Sequence, residues 1–206
     1  RTAAVTSSHF CSAEKQFRYP LEYGGQRPPS AQWTVAGAGC AIGGQSDAPP
    51  YTRAVTAGRI EDYGIKDANN MGAAMAPAAA STIKQFLEDT GTKPNDYDLI
   101  LTGDLGQIGS DLLYDLLGRE NIDISGHHAD CGLLIYDREK QDVHAGGSGC
   151  GCAGSVLCSY ILSRVRDGEI KNMLFIATGA LLSPTSVQQG QSIPGIAHLV
   201  HISHTK

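Results

Sequence analysis

The stretch His144–Arg166, HAGGSGCGCAGSVLCSYILSRVR, constrains this chain more than any other. A glycine-rich loop, Gly146 to Gly154, runs straight into a segment with apolar residues at Val156, Leu157, Tyr160, Ile161 and Val165. That spacing is one stripe of a 3.6-residue period, so the loop is predicted to open a helix. Glycines allow backbone N–H groups to turn inward together. The first turn of a helix adds unpaired N–H donors and the positive end of its dipole. The loop is therefore expected to be a place for an anion, with the rest of the chain as its scaffold.

The supply of apolar residues suits such a scaffold. Of 206 residues, 41% are hydrophobic and 18% charged, enough to bury a core. The formal net charge is -5, without a Lys/Arg cluster, which argues against nucleic acid. No apolar run approaches the ~18 residues that span a bilayer. The chain starts at Arg1 and enters a strand-like segment at once, so it reads as the later part of a longer protein. Its cysteines (11, 40, 131, 150, 152 and 158) lack the spacing of a disulfide scaffold, and reduced thiols inside a cell are expected.

In chain order, Thr2–Ser7 is a strand and residues 8–30 form a long polar surface excursion. There Glu14, Lys15, Arg18 and Arg27 read as a solvated or partner-facing set. Trp33–Ile42 is a strand, Gly43–Pro50 a break taken as a boundary, and Thr52–Asp62 another strand. Asn69–Leu87 has helical spacing with an Asn cap and a Gly91 stop, its regular part starting near Pro77. Asp98–Thr102 is a continuous apolar strand, as in a sheet covered on both faces. Gly103–Gly109 is a tight loop, Leu112, Leu113, Leu116 and Leu117 mark a short helix, and Asp130–Tyr136 is extended. Met173–Thr178 and Ile196–Ile202 are core strands. The alternation implies an α/β layered fold with a mixed sheet.

Several motifs have plainer explanations. Gly149 to Gly154 matches G-x-G-x-x-G, but polar Asp137–His144 stands where a dinucleotide fold needs a strand. Cys150-x-Cys152 lacks the paired spacing of structural zinc, and small buried thiols are expected, with a reactive thiolate at the helix start as the alternative. His198, His201 and His204 would face different ways on a strand, so no metal comb is expected. His127, His128 and His144 default to the surface, and Ser7, Ser8 and His9 form no hydrolase triad.

The runs AVTSSHF, EYGGQRPPSAQWTV, LILTGDLGQIGSDLL, HAGGSGCGCAGSVL and ATGALLSPTSVQQGQSIPGIAHLV closely resemble the stage V sporulation protein AD family of spore-forming bacteria. The resemblance covers essentially the whole chain. It implies the thiolase-like fold, layered αβαβα, with residues 1–50 as the end of the first half and 51–206 as nearly all of the second. Roughly the first third of such a protein would lie outside this chain. It also implies binding of dipicolinic acid beside other stage V A-group sporulation proteins. Those proteins take the acid, with calcium, into the developing spore and release it at germination. A homodimer, peripheral to the inner spore membrane, is implied as well.

Condensing enzymes of this superfamily use a Cys that would lie upstream, plus His and Asn or two His. The matching places here hold Gly103-Asp104 and Ser148-Gly149, and neither Gly103 nor Gly149 can carry a proton or polarise a carbonyl as those enzymes require. The resemblance thus implies a binder without catalytic residues, resident metal or cofactor. Its expected ligand-binding residues are Ser148, Gly149, Cys150, Gly151, Ser155, Gly103 and Asp104. The amides of 149–152 and the hydroxyls of Ser148 and Ser155 would take one end of the acid. Asp104 would repel a bare dianion and assist where calcium accompanies it. The alternatives are an acyl-transfer or condensing enzyme, and a structural adaptor of a spore membrane complex.

Overall fold

The structure is a computed structural model that describes residues 1–9 and 28–206. Glu14, Lys15, Arg18 and Arg27 lie outside the described residues. The α/β class expected from the sequence is the one observed. A five-stranded mixed sheet runs in the order β4 (Tyr51–Thr56), β9 (Gly195–Ser203), β8 (Asn172–Ala180), β5 (Leu99–Thr102), β6 (His128–Asp130). The pairs β5–β6 and β5–β8 are parallel, and β8–β9 and β4–β9 antiparallel.

Both faces of this sheet are covered, as the continuous apolar strand predicted. Ile100, Leu174, Ile176 and Leu199 face helices α1 (Met71–Thr90) and α2 (Gly106–Gly118). Leu101, Met173, Phe175 and Ile202 face the opposite way, onto a second core with Cys152, Val156, Ile161 and Val165. Alternation along each strand sends neighbours to opposite cores. The second core belongs to the central helix: α4 (Cys150–Val156), a π-helical turn (Leu157–Ile161) and α5 (Leu162–Arg166). Beyond that helix lies an antiparallel ribbon of β1 (Thr2–Ser8) and β3 (Gly37–Gly43). The described layers are thus helix, sheet, helix, sheet.

Several boundaries differ from the sequence reading. Trp33–Ile42 is two strands: β2 (Trp33–Thr34) pairs in parallel with β7 (Gly147–Ser148), while β3 pairs with β1. Different partners on different sheets force the break between them. β4 stops at Thr56, leaving only a bridge from Glu61 to Gly195. Helix α1 starts at Met71 rather than near Pro77. Asn70 caps it by accepting from Ala73 N–H, and Gly91 ends it at φ 64°. Residues 71–80 are all buried, and that packing outweighs the hydrogen bond Pro77 cannot donate. Helix α2 begins inside the expected 103–109 loop. Strand β6 ends at Asp130, and a single helical turn, α3 (Cys131–Leu134), replaces the extended segment expected there. A short helix, α6 (Pro184–Gln188), capped by Ser183, lies in the Ser/Gln/Gly-rich loop. Among the described residues, no helix is long and apolar enough to cross a membrane.

Candidate functional site

The loop after β5 and the loop after β7 meet. Asp104, only 8% exposed, accepts from Gly149 N–H at 2.7 Å and from the Thr178 hydroxyl at 3.0 Å. The Ser148 hydroxyl approaches the same carboxylate at 3.4 Å. Thr178 Oγ1 also accepts from Asp104 N–H at 3.1 Å. The Gln32 side-chain amide ties the two loops together, donating to the carbonyls of Asp104 and Gly147 at 2.8 Å each. Gly103, Asp104, Ser148 and Gly149 therefore form one junction, with Thr178 as a member the sequence reading missed. The only sequence signal for Thr178 is a hydroxyl near the end of an apolar strand.

Cys150, Gly151 and Ser155 face elsewhere, toward the β1–β3 ribbon. The Cys150 thiol donates to Ser7 O at 3.0 Å, Gly151 N–H to Ser8 Oγ at 2.9 Å, and the Ser155 hydroxyl to Ala38 O at 3.3 Å. Cys152 N–H donates back to Gly149 O at 2.9 Å. The amides of Gly149, Gly151 and Cys152 thus point to three separate acceptors instead of one anion. The reason is steric. A Cβ at Gly154 would lie 2.5 Å from Thr6 Cγ2, and one at Gly151 would strike Gly37 O. The glycines let the ribbon backbone sit directly on the helix start. Gly149 itself has φ 103° and ψ 156°, a conformation essentially restricted to glycine.

The thiols diverge. Cys150 is exposed beside β1, whereas Cys152 is fully buried with Cys131. Burial, then the nearby Asp104 and Asp130 carboxylates, push the Cys152 thiol far up, so it stays protonated. That corrects the thiolate alternative for Cys152. The histidines of the C-terminal strand also part company. His198 Nδ1 accepts from Gly58 N–H, the His201 ring stands edge-on to Phe86 and Tyr97, and His204 Nδ1 reaches Val165 O.

A second polar group, also missed from the sequence, lies behind the junction. Asp130 is 1% exposed and accepts from the Thr102 hydroxyl at 2.6 Å, Leu105 N–H at 2.8 Å and Gly106 N–H at 3.0 Å. It fills the N-terminal end of α2, where unpaired amides favour an anion. Burial, followed by the charge of Asp104, raises its carboxyl to about 6 against the bonds that stabilise its charge. His128 was expected at the surface. Its ring instead lies between Thr102 Oγ1, at 2.9 Å from Nε2, and the Tyr114 hydroxyl, at 2.8 Å from Nδ1. Burial lowers it to about 4, so it is neutral. Nothing local in the sequence pairs these residues. They meet because β5 and β6 are parallel neighbours with Thr102 opposite Asp130.

Comparison with known proteins follows this geometry. Residues 1–203 match the family model for stage V sporulation protein AD. The chain is 49% identical over 198 residues to stage V sporulation protein AD of Bacillus subtilis (strain 168), covering 96% of this chain and 58% of that protein. It is similar, at 14% identity and a TM-score of 0.45, to the tetronic acid condensing enzyme AbyA1, over 81% of this chain and 51% of that one. It is similar also to 3-oxoacyl-(acyl-carrier-protein) synthase III of Aquifex aeolicus, at 13% identity and a TM-score of 0.42, over 81% and 48%. The chain belongs to the stage V sporulation protein AD family, a family of sporulation proteins.

Proposed function

We propose that this chain is the larger part of a non-catalytic protein that binds dipicolinic acid during sporulation, at the junction of Gly103, Asp104, Ser148 and Gly149. One observation carries the reading. The amide of Gly149 and the hydroxyls of Ser148 and Thr178 already surround a carboxylate, that of Asp104. A place that holds one carboxylate has the donors for another. A ligand carboxylate would take the Gly149 amide as Asp104 turns away. Cys150, Gly151 and Ser155 then anchor the start of α4 to the β1–β3 ribbon and so hold Gly149 in place. The glycines at 103 and 149 leave those two positions without a proton-handling side chain, which favours binding over acyl transfer. Action beside other stage V A-group proteins, as a homodimer peripheral to the inner spore membrane, completes the proposal.

Calorimetric titration of the full-length protein with dipicolinate, with and without calcium, tests it. A saturable heat is expected, and Ser148→Ala should weaken binding about tenfold, or roughly 1.4 kcal/mol. Cys150→Trp should weaken it further by pushing the start of α4, and Gly149 with it, away from β1. Unchanged affinity in both variants removes the junction from the site, and absence of heat from the unaltered protein overturns the function. Turnover of an acyl-coenzyme A would favour a condensing enzyme instead.

A further inference from the structure

The buried polar group behind the junction has a direction. An ionised carboxylate only accepts, so the Thr102 hydroxyl gives its proton to Asp130. Thr102 Oγ1 must then accept from His128 Nε2–H, and His128 Nδ1 must accept from the Tyr114 hydroxyl. Every donor from Tyr114 inward points toward Asp130. Tyr114 is partly exposed and lines a depression of about 280 Å³ with Gly118, Asn121, Ile122, Asp123 and Ile124. One end of the series is thus a part-exposed tyrosine at the depression, and the other is a carboxylate that is 1% exposed.

We propose that Tyr114, His128 and Thr102 form a proton relay between solvent at this depression and the buried Asp130. The transfer balances. Tyr114 gives its proton to His128 Nδ1, His128 gives the one on Nε2 to Thr102, and Thr102 gives its own to Asp130. Tyr114 Oη recovers a proton from water. Afterwards Asp130 donates to Thr102, Thr102 to Nε2, and Nδ1–H to Tyr114. Each hydrogen bond survives with its polarity reversed, and one proton has moved from solvent to Asp130. A histidine with both nitrogens engaged is suited to such a shuttle.

The groups facing Asp130 are Asp104 from the loop after β5, Thr102 from β5, His128 from β6, Cys131 from α3 and Cys152 from α4, with Tyr114 and Asp111 of α2 along the relay. No basic side chain is among the groups that set the Asp130 carboxyl, and its elevation to about 6 places the transfer near neutral pH. Uptake of the proton turns the charge-assisted bonds from Leu105 and Gly106 into neutral ones. The loop that carries Asp104 is then held less firmly. The relay does not depend on the identity of the ligand.

Carbon-detected NMR of the full-length protein, labelled with ¹³C-aspartate, tests it. The Asp130 carboxyl is expected to titrate between about pH 5 and about pH 7 with rapid proton exchange. Tyr114→Phe should leave the midpoint nearly in place and slow that exchange on the order of a hundredfold. His128→Gln, which ends the relay one step later, should slow it similarly if Tyr114→Phe does not fold. An Asp130 that does not titrate in that range overturns the proposal, as does an exchange rate unchanged in the folded variant.

Discussion

Asp130 and His128 are neighbours in one buried network whose pH effects on stability oppose each other. The folded-state carboxyl of Asp130, about 6, lies above its ordinary 3.8, so the folded protein binds this proton more tightly. Its stabilising contribution is complete below about 4 and disappears as pH rises through about 6. The imidazole of His128, about 4 when folded, lies below its ordinary 6.5. Its contribution is present above 6.5 and is lost as pH falls through 4. The stability advantage of the unaltered protein over His128→Gln should therefore shrink as pH falls across that window, read by urea unfolding. An advantage that grows would contradict the assigned burial. Asp130→Ala strips the acceptor from Leu105 N–H, Gly106 N–H and the Thr102 hydroxyl at once. It should cost at least about 3 kcal/mol in the same measurement near neutral pH.

The elements are set by contacts between backbones as much as by side chains. Gly154 of α4 lies against Gly39 of β3 and Thr6 of β1. Gly154→Ala should cost about 1–3 kcal/mol in urea unfolding, because the added methyl pushes the ribbon off the helix. Gly118, at the end of α2, is a control: a Cβ there meets nothing within 4 Å. Gly118→Ala should leave stability unchanged or raise it by about 0.5 kcal/mol. Equal losses in the two variants would mean that the ribbon contact contributes nothing. Helix α1 shows the same priority of packing over propensity. Pro77 stands inside it, yet every residue from Met71 to Ala80 is buried.

At the scale of the whole molecule, the helix, sheet, helix, sheet order of the described residues leaves one face of the outer ribbon uncovered among them. Thr6 and Gly39 turn toward α4, while Val5 at 72% and Ile42 at 76% exposure turn outward. In the 206-residue chain, Val5→Thr and Ile42→Thr should each change stability by less than about 0.5 kcal/mol. A loss above 1 kcal/mol in either would show that the outward residues are packed. The same pair in the full-length protein reports whether other residues cover this face, since the chain spans 58% of its Bacillus relative.

The sequence by itself determined the α/β class, the apolar strands and helices, and the family. Those rest on local periodicity and on long unusual runs such as HAGGSGCGCAGSVL, which need no folding to be read. It also marked the loops at 103–104 and 148–149, which do meet. Only the tertiary structure decided where their donors point. Gly149 N–H reaches Asp104, Gly151 N–H reaches Ser8, and the buried Asp130, His128, Thr102 and Tyr114 find one another across two strands and a helix. Hydrogen-bond partners far apart in the chain are chosen by strand register and burial. Neither is written in the residues beside them, because a buried polar group takes whatever partner the packing brings.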